Sequence, residues 1–211
     1  MDTPSSAPHP CDAKAILCFW FEATKPKQWF RQSDRFDQCI RERFGSCCHL
    51  AQRGDLDHWA QEPHECLALV LLLDQLSRHV WRGSAQAYEG DAKAVILSLD
   101  AVQKGWIDQE PRRVRRQFWL MPLLHSEALA DQCKAMELMA RYADPATAAV
   151  AQRHHGLIER FGRFPHRNAI LQRPNTSDEE CYLRAQRRRA GHPSTSAPAD
   201  LPQKPFADPP E

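Results

Sequence analysis

The segment LALVLLLDQLSRHVWRG (residues 67–83) opens with seven apolar residues, enough to cover every side of a helix. A helix without a polar face is typical of the buried centre of a helical domain. Leu67, Leu71, Asp74 and Arg78 follow one another at the spacing of one helix face, which predicts a charged pair at or beside the core. An unpaired buried charge costs about 3–5 kcal/mol, and an Asp four residues before an Arg is favourably placed in a helix. The simplest interpretation is that these two side chains neutralise each other.

Helix signals recur along the chain, whereas the alternation of strands and the Asn-Gly turns of hairpins are absent from the sequence. The central segment is predicted to form one helix from Pro63 to Gly83. We therefore predict an all-α fold of seven to nine helices, packed as a compact bundle of antiparallel helices with short connections. Other helix starts are predicted at Asp12, at Ser33 or Asp34, at Asp91, Pro111, Pro122 and Pro145, and at a capping box of Thr176 with Glu179 or Ser177 with Glu180; Gly54 and Gly105 are predicted stops.

The composition of the two ends differs from that of the middle. Residues 191–211 carry six prolines and almost no apolar periodicity, which predicts a disordered, proline-rich tail. Residues 1–11 are rich in proline and lack a hydrophobic stretch, so we expect a flexible N-terminus rather than a secretory signal. One all-helical domain is predicted between them, at residues 12–190.

Charge and hydropathy exclude several classes of partner. The net charge of the 211 residues is +1, which gives no general attraction to nucleic acid or to an anionic membrane. The longest apolar run, Cys66–Leu73, is far shorter than the roughly 20 residues that span a bilayer. We expect a cytoplasmic protein.

Its eight cysteines include no C-x-x-C pair and are expected to be free thiols rather than zinc ligands or disulfides.

Two further segments supply polar groups next to large apolar side chains. RFGRFPHRNAIL (residues 160–171) contains three arginines, a histidine and two phenylalanines, and the phenylalanines should draw the neighbouring arginines partly inward. MPLLHSEALADQ (residues 121–132) adds a histidine and two acids. The candidate cations are Arg78, Arg82, Arg160, Arg163 and Arg167, and the candidate anions are Asp74, Glu127 and Asp131. If these groups meet, two cations remain for a ligand, and guanidinium groups suit carboxylates and phosphates.

The spacing around His125 argues against a metal site. A helix starting at Pro122 would place Glu127 and Asp131 on one face and His125 on another, and its positive N-terminus would favour an uncharged imidazole at His125. The H-E-x-x-H pattern and the glycine-rich nucleotide motifs are absent from the sequence. We therefore predict neither a metal nor a cofactor.

Four segments carry a family resemblance: ILCFWF at 16–21, the central segment, MPLLHSEALADQ, and RFGRFPHRNAILQRPNTSDEECYL at 160–183. Together they closely resemble the bacterial family known as domain of unknown function 924, from about Asp12 to Leu183. The resemblance implies a tetratricopeptide-repeat-like helical fold and supplies no activity. The chain departs from the family pattern at Ser77, His79, Gly156 and Gln172.

Three hypotheses for the polar groups follow. The first is a binding site for a small anion or an acidic peptide terminus, with no nucleic-acid or membrane partner. The second is an enzyme with His125 or His166 as general base and Glu127 or Asp131 as its orienting partner. A metal-dependent version of this enzyme, with His125, His154, His166 and the acids as ligands, is a less favoured alternative. The third is a purely structural charge network. The ligand-binding candidates are Asp74, Arg78, Asp131, Arg160, Arg163, Arg167 and Asn168, and the catalytic candidates, if the protein is an enzyme, are His125, Glu127 and His166.

Overall fold

The computed structural model describes residues 11–189, and all regular structure in that range is helical, as the sequence predicts. The predicted disordered tail at 191–211, and the predicted flexible N-terminus apart from Cys11, lie outside the described residues. None of the described helices is long and apolar enough to cross a membrane. The α-helices are α1 (Ala13–Cys18), α2 (Pro26–Trp29), α3 (Asp34–Arg53), α4 (Pro63–Leu71), α5 (Ser77–Val80), α6 (Asp91–Gln103), α7 (Trp106–Gln109), α8 (Arg113–His125), α9 (Leu129–Tyr142), α10 (Pro145–Phe161) and α11 (Ser177–Arg189); π-helical turns occupy Phe19–Ala23 and Leu72–Leu76, and 3-10 turns occupy Asp57–Gln61, Ala85–Tyr88 and Pro165–Arg167.

Local capping signals set several helix ends where the sequence predicts them. The side chain of Asp12 accepts a hydrogen bond from the backbone nitrogen of Lys14 at 2.9 Å, which starts α1. Thr176 and Glu179 form the reciprocal capping box of α11, with distances of 2.7 and 3.2 Å. Gly54 closes α3 with a φ of 91°, a left-handed conformation that favours glycine. These boundaries depend only on neighbouring residues, which is why the sequence reveals them.

The central helix of the molecule is formed by α4, the π-helical turn Leu72–Leu76 and α5, which follow one another without a break. Every residue from 66 to 80 is buried, and α1, α3 and α6 pack around this stretch. This confirms the predicted buried helix, although it ends at Val80 rather than at Gly83. The π-helical turn, which contains Asp74, widens the helix by one residue, a feature that often occurs at functional sites.

The second half of the fold is built from α8, α9 and α10, each packed against the next. The prediction that Pro122 starts a helix is wrong, because Pro122 lies inside α8 and the next helix begins at Leu129. Residues 117–125 are all buried, so packing outweighs the roughly 3 kcal/mol that an internal proline costs. His125 consequently lies in the last turn of α8. The tetratricopeptide-like repeat arrangement stays a prediction.

One pair of cysteines departs from the expectation of free thiols. Cys11 and Cys47 form a disulfide that ties the start of the described chain to α3, with their Cα atoms 5.6 Å apart. The two residues are separated by 36 positions, so no spacing rule could pair them from sequence. The other six cysteines are free, and burial raises the pKa of the Cys66 thiol to about 12, which makes that thiol unreactive.

Candidate functional site

Five charged or titratable side chains meet beside the central helix, and we call them the inner charge cluster: Asp74, Arg78, Asp91, His125 and Arg167. His125 Nδ1 lies 2.7 Å from Asp74 Oδ1, and Arg78 Nη2 donates to the same oxygen at 3.2 Å. Arg78 Nη2 also donates to Asp91 at 3.0 Å, and Arg167 Nη1 donates to Asp91 at 3.3 Å. The most exposed of the five side chains is that of Asp91, at 16%. The cluster is therefore a buried, continuous network of ion pairs.

The charge of Asp74 determines which ring nitrogen of His125 carries a proton. Burial alone would raise the pKa of Asp74, but His125 and Arg78 outweigh burial and lower that pKa to about 2. Asp74 is therefore a carboxylate at neutral pH, and Gln75 donates to its second oxygen. Nδ1 of His125 must carry a proton to donate to this carboxylate, so Nε2 is a hydrogen-bond acceptor in the neutral ring.

A glycine brings Asp91 to the cluster. A Cβ atom on Gly90 would lie 2.8 Å from the carbonyl oxygen of Leu73, closer than real contacts allow. Only glycine lets this segment approach the central helix so closely, and it places Asp91, in the first turn of α6, beside Arg78. Burial raises the pKa of Asp91 even though Arg78 and Arg167 stand next to it.

The ring of Tyr88 separates the two arginines of the cluster. Its centroid lies 5.1 Å from Arg78 Cζ and 4.8 Å from Arg167 Cζ, distances that allow cation–π attraction to both. Arg167 also lies 4.7 Å from the ring centroid of Phe164. No sequence pattern points to Tyr88, because its contact with the two arginines depends on the 3-10 turn Ala85–Tyr88 folding back against the central helix.

An open cleft of about 700 Å³ adjoins the inner charge cluster. His125 lines it although the residue is only 2% exposed. Since Asp74 occupies Nδ1, Nε2 is the ring nitrogen that His125 offers to a ligand. The other polar lining residues are Tyr88, Glu89, Asp91, Ser126, Glu127, Asp131 and Arg167, and the apolar wall is formed by Val95, Ile96 and Leu171 with two alanines.

A second polar group, which we call the outer clasp, consists of Glu127, Arg163, Asn168, Arg173 and Glu179. Arg173 donates to both carboxylate oxygens of Glu127, at 2.6 and 2.9 Å, and to the side chain of Asn168 at 3.0 Å. Arg163 donates to both oxygens of Glu179, at 2.6 and 2.8 Å, and lowers the pKa of that buried carboxyl to about 2. The outer clasp ties the loop after α10 to α11 and to the loop between α8 and α9.

A third set, which we call the N-terminal charge cluster, joins Asp37, His79 and Arg82 on the other side of the central helix. His79 Nδ1 lies 2.7 Å from Asp37 Oδ1, and His79 Nε2 lies 3.2 Å from the carbonyl oxygen of Trp29. Arg82 Nη2 donates to Asp37 at 2.9 Å. Burial opposes ionisation of Asp37, but Arg82 and His79 lower its pKa overall. Both ring nitrogens of His79 are therefore engaged by the protein itself.

The predicted site residues fall into several places rather than one. The inner charge cluster contains four of them, the outer clasp three, and Asp131 lines the cleft, where it accepts a hydrogen bond from Ser126 Oγ. Arg160 lies apart, on an exposed ion pair with Asp178 at 2.7 Å. His166 packs against the ring of Phe164, with 5.4 Å between ring centroids. Asp91, Tyr88 and Arg173 are members that the sequence did not single out for a role.

The predicted surplus of cations is wrong. The inner charge cluster balances two arginines against two aspartates. The other three candidate cations also have acidic partners, which lie in distant segments or on the surface and could not be assigned from sequence. These pairs are Arg82 with Asp37, Arg160 with Asp178, and Arg163 with Glu179. An anion would therefore meet guanidinium groups that already have carboxylate partners.

The environment predicted for His125 is also wrong. Its place in the last turn of α8 puts it near the negative end of a helix, not near the positive N-terminus that the sequence predicts. Glu127 lies in the loop between α8 and α9, so it does not share a helix face with Asp131. The acid that orients His125 is Asp74. Within residues 11–189, three or more potential metal ligands do not come together at any point.

Comparison with known proteins gives a family. A family model for a bacterial protein of unknown function, DUF924, matches residues 16–187. The chain is also similar to a solved structure of a protein of unknown function, ATU0120 from Agrobacterium tumefaciens, with a TM-score of 0.77 and 36% sequence identity. That likeness covers 82% of this chain and 97% of the other. No curated protein matches the chain. The chain belongs to the DUF924 family of bacterial proteins of unknown function.

Proposed function

We propose that the protein binds a small organic molecule in the cleft beside His125, and that the ligand carries an anionic group. The observation that supports this proposal is the buried Asp74–His125 pair, whose histidine lines a cleft of about 700 Å³. Clefts of this size, with a few fixed polar groups and an apolar wall, are typical of small-molecule sites.

Arg167 is the cation that would receive the anionic group. It lines the cleft, and its side chain is only 4% exposed, so a contact there would be shielded from water. A guanidinium has five N–H donors, and it can bond Asp91 and a ligand oxygen at the same time. Tyr88 and Phe164 stack on this guanidinium and fix its plane.

Calorimetric titration of the full-length protein tests the proposal. The probes are acetate, butanoate, hexanoate, inorganic phosphate, an acidic tripeptide and amino acids of matched chain length. The informative variant is His125→Asn, whose amide can still donate to Asp74 but which lacks Nε2. We expect at least one probe to bind the wild type and to bind His125→Asn about tenfold or more weakly.

The matched control is Arg160→Ala, which removes an exposed arginine remote from the cleft. This variant should keep the wild-type affinity. The proposal fails if none of the probes binds the wild type, or if His125→Asn binds each probe as the wild type does.

A second candidate is an acid–base enzyme, and the Asp74–His125 pair favours it specifically. A carboxylate that accepts from Nδ1 fixes the tautomer of the ring and stabilises the imidazolium that forms when Nε2 takes a proton. His125 would be the general base, with Asp74 as its orienting partner in place of Glu127 or Asp131.

Proton abstraction can be detected by hydrogen–deuterium exchange, even when the substrate is not known. Pools of small metabolites are incubated with the protein in D₂O and followed by proton NMR, where exchange or turnover removes signals. We expect signal loss with the wild type and none with His125→Asn. Identical spectra with both proteins would contradict the enzymatic candidate.

A further inference from the structure

The carboxylates that line the cleft differ in whether an arginine neutralises their charge. Four acidic residues line it, against one arginine. Asp91 is paired with Arg78 and Arg167, and Glu127 is paired with an arginine of the outer clasp. Glu89 is exposed to water at the edge of the cleft. Asp131 remains as a partly buried carboxylate that forms no ion pair within residues 11–189.

We propose that the ligand of this cleft carries a protonated amine as well as its anionic group, with the amine held by Asp131. This inference rests on the proposed function and adds the chemical class of the ligand, which is a zwitterion. A partly buried carboxylate with only a hydroxyl donor gains most from a charged donor, because charge-assisted hydrogen bonds are about twice as strong as neutral ones.

His125 points to the same chemistry independently. Its Nε2 is a hydrogen-bond acceptor in the neutral ring, and it belongs to a residue that is only 2% exposed. An acceptor on a side chain this well shielded from water gains free energy when a ligand brings it a donor. A simple carboxylate brings acceptors only, whereas an ammonium group brings three donors, enough for Nε2 and Asp131 together.

The apolar wall suggests what joins the two charged groups. Ile96 is 66% exposed and lies with Val95 and Leu171 along the cleft. An isoleucine left this open gains from apolar cover, and an aliphatic chain between the acid and the amine would supply it. The ligand class is thus an aliphatic amino acid, with its acid at Arg167 and its amine at Asp131.

Matched compounds test the inference by calorimetry on the full-length wild type. The zwitterions are glycine, 4-aminobutanoate and 6-aminohexanoate, the acids without amine are acetate, butanoate and hexanoate, and the amines without acid are methylamine, propylamine and pentylamine. We expect one zwitterion to bind at least tenfold more tightly than both of its partners. In Asp131→Asn, that advantage should disappear, whereas the exposed control Asp178→Asn should retain it.

The outcomes separate the two proposals. If an acid without amine binds as tightly as its zwitterion, and His125→Asn weakens both, the amine inference is wrong and the proposed function stands. If none of the nine compounds binds, the amine inference is overturned, and the proposed function is overturned with it if inorganic phosphate and the acidic tripeptide also fail to bind. The comparison of compounds on the wild type decides the matter even where Asp131→Asn is too unstable to assay.

Discussion

Two Asp–His–Arg sets meet at the central helix and differ in how their histidines are hydrogen-bonded. In the N-terminal charge cluster, both ring nitrogens of His79 are engaged, one by Asp37 and one by the carbonyl of Trp29. In the inner charge cluster, Asp74 engages only Nδ1 of His125, and the ring lines a cleft. The two histidines are almost equally buried, at 2% each. Burial and an acidic partner therefore do not distinguish the two histidines; what distinguishes them is the second ring nitrogen, which bonds Trp29 in His79 and has no hydrogen-bond partner within residues 11–189 in His125.

The arginines of the two sets differ in how much of the side chain water can reach. Arg82 keeps 22% of its side chain exposed, so water can still solvate it if Asp37 is removed. Arg78 keeps only 5% and is shared between Asp74 and Asp91. The inner charge cluster is accordingly the more costly of the two to disrupt, which suits a site whose geometry must be held rigidly.

The largest expected effect is that of Asp74→Asn. The change removes the carboxylate that Arg78 and His125 share, and a buried charge stripped of one partner typically costs about 3–5 kcal/mol. We expect a loss of about 3 kcal/mol in the free energy of unfolding, at the lower end because Asp91 still pairs with Arg78. Urea unfolding followed by tryptophan fluorescence measures it. A loss below about 1 kcal/mol would mean that the cluster does not hold the fold together.

Gly90→Ala should have the second largest effect on the free energy of unfolding. The added Cβ would press on the backbone of Leu73, which cannot rotate away, so α6 must shift and carry Asp91 away from Arg78. Overpacking of this kind costs roughly 1–3 kcal/mol, and we expect roughly 2–3 because the contact is with backbone. Urea unfolding gives the value, and Gly156→Ala is the control, since a Cβ there meets nothing within 4 Å. Equal stabilities of the two variants would contradict this packing.

Asp37→Asn should lower the free energy of unfolding by less than Asp74→Asn does. It weakens hydrogen bonds to His79 and Arg82, but Arg82 reaches solvent, so we expect a loss of roughly 2 kcal/mol. The same urea experiment applies, and ligand affinity should remain at the wild-type value. Should Asp37→Asn prove the more damaging of the two, the ranking of the clusters would be reversed.

The smallest effect concerns pH. The folded pKa values of Asp37 and Asp74 lie below the unfolded value near 3.9, so the unfolded chain binds more protons in acid. The stability that these groups supply is complete above about pH 5 and is lost as pH falls through their folded pKa values. We expect the difference between the wild type and Asp37→Asn to shrink by roughly 1 kcal/mol between pH 5 and pH 2. A constant difference would show that the carboxylate charge of Asp37 does not matter.

Local signals account for what the sequence predicts well. The helical fold, the caps at Asp12 and Thr176, and the stop at Gly54 all depend on residues within one turn of each other. The Asp74–Arg78 pair is also local, four residues apart on one helix. Sequence patterns therefore identify the acid and the arginine at the centre of the inner charge cluster.

The rest of the site depends on contacts between distant segments. Asp91 and Arg167 are 76 residues apart, and Asp74 and His125 are 51 apart, so neither pairing has a spacing to reveal it. The π-helical turn at Asp74 also breaks the regular 100° step on which face assignments rely. The position of His125 was mistaken because burial of its helix overrode the proline signal at Pro122.

The most direct test compares His125→Asn with His79→Asn, measuring both the free energy of unfolding and the affinity for whichever probe the wild type binds best. Each asparagine can keep the bond to its aspartate and loses the other ring nitrogen. We predict that His125→Asn loses tenfold or more in affinity and less than about 1 kcal/mol in stability, since its lost nitrogen has no hydrogen-bond partner within residues 11–189. His79→Asn should keep its affinity and lose roughly 1–2 kcal/mol, since its lost nitrogen bonds Trp29. Unchanged affinity in His125→Asn, or an equal loss of affinity in both variants, would contradict the assignment of the cleft to His125.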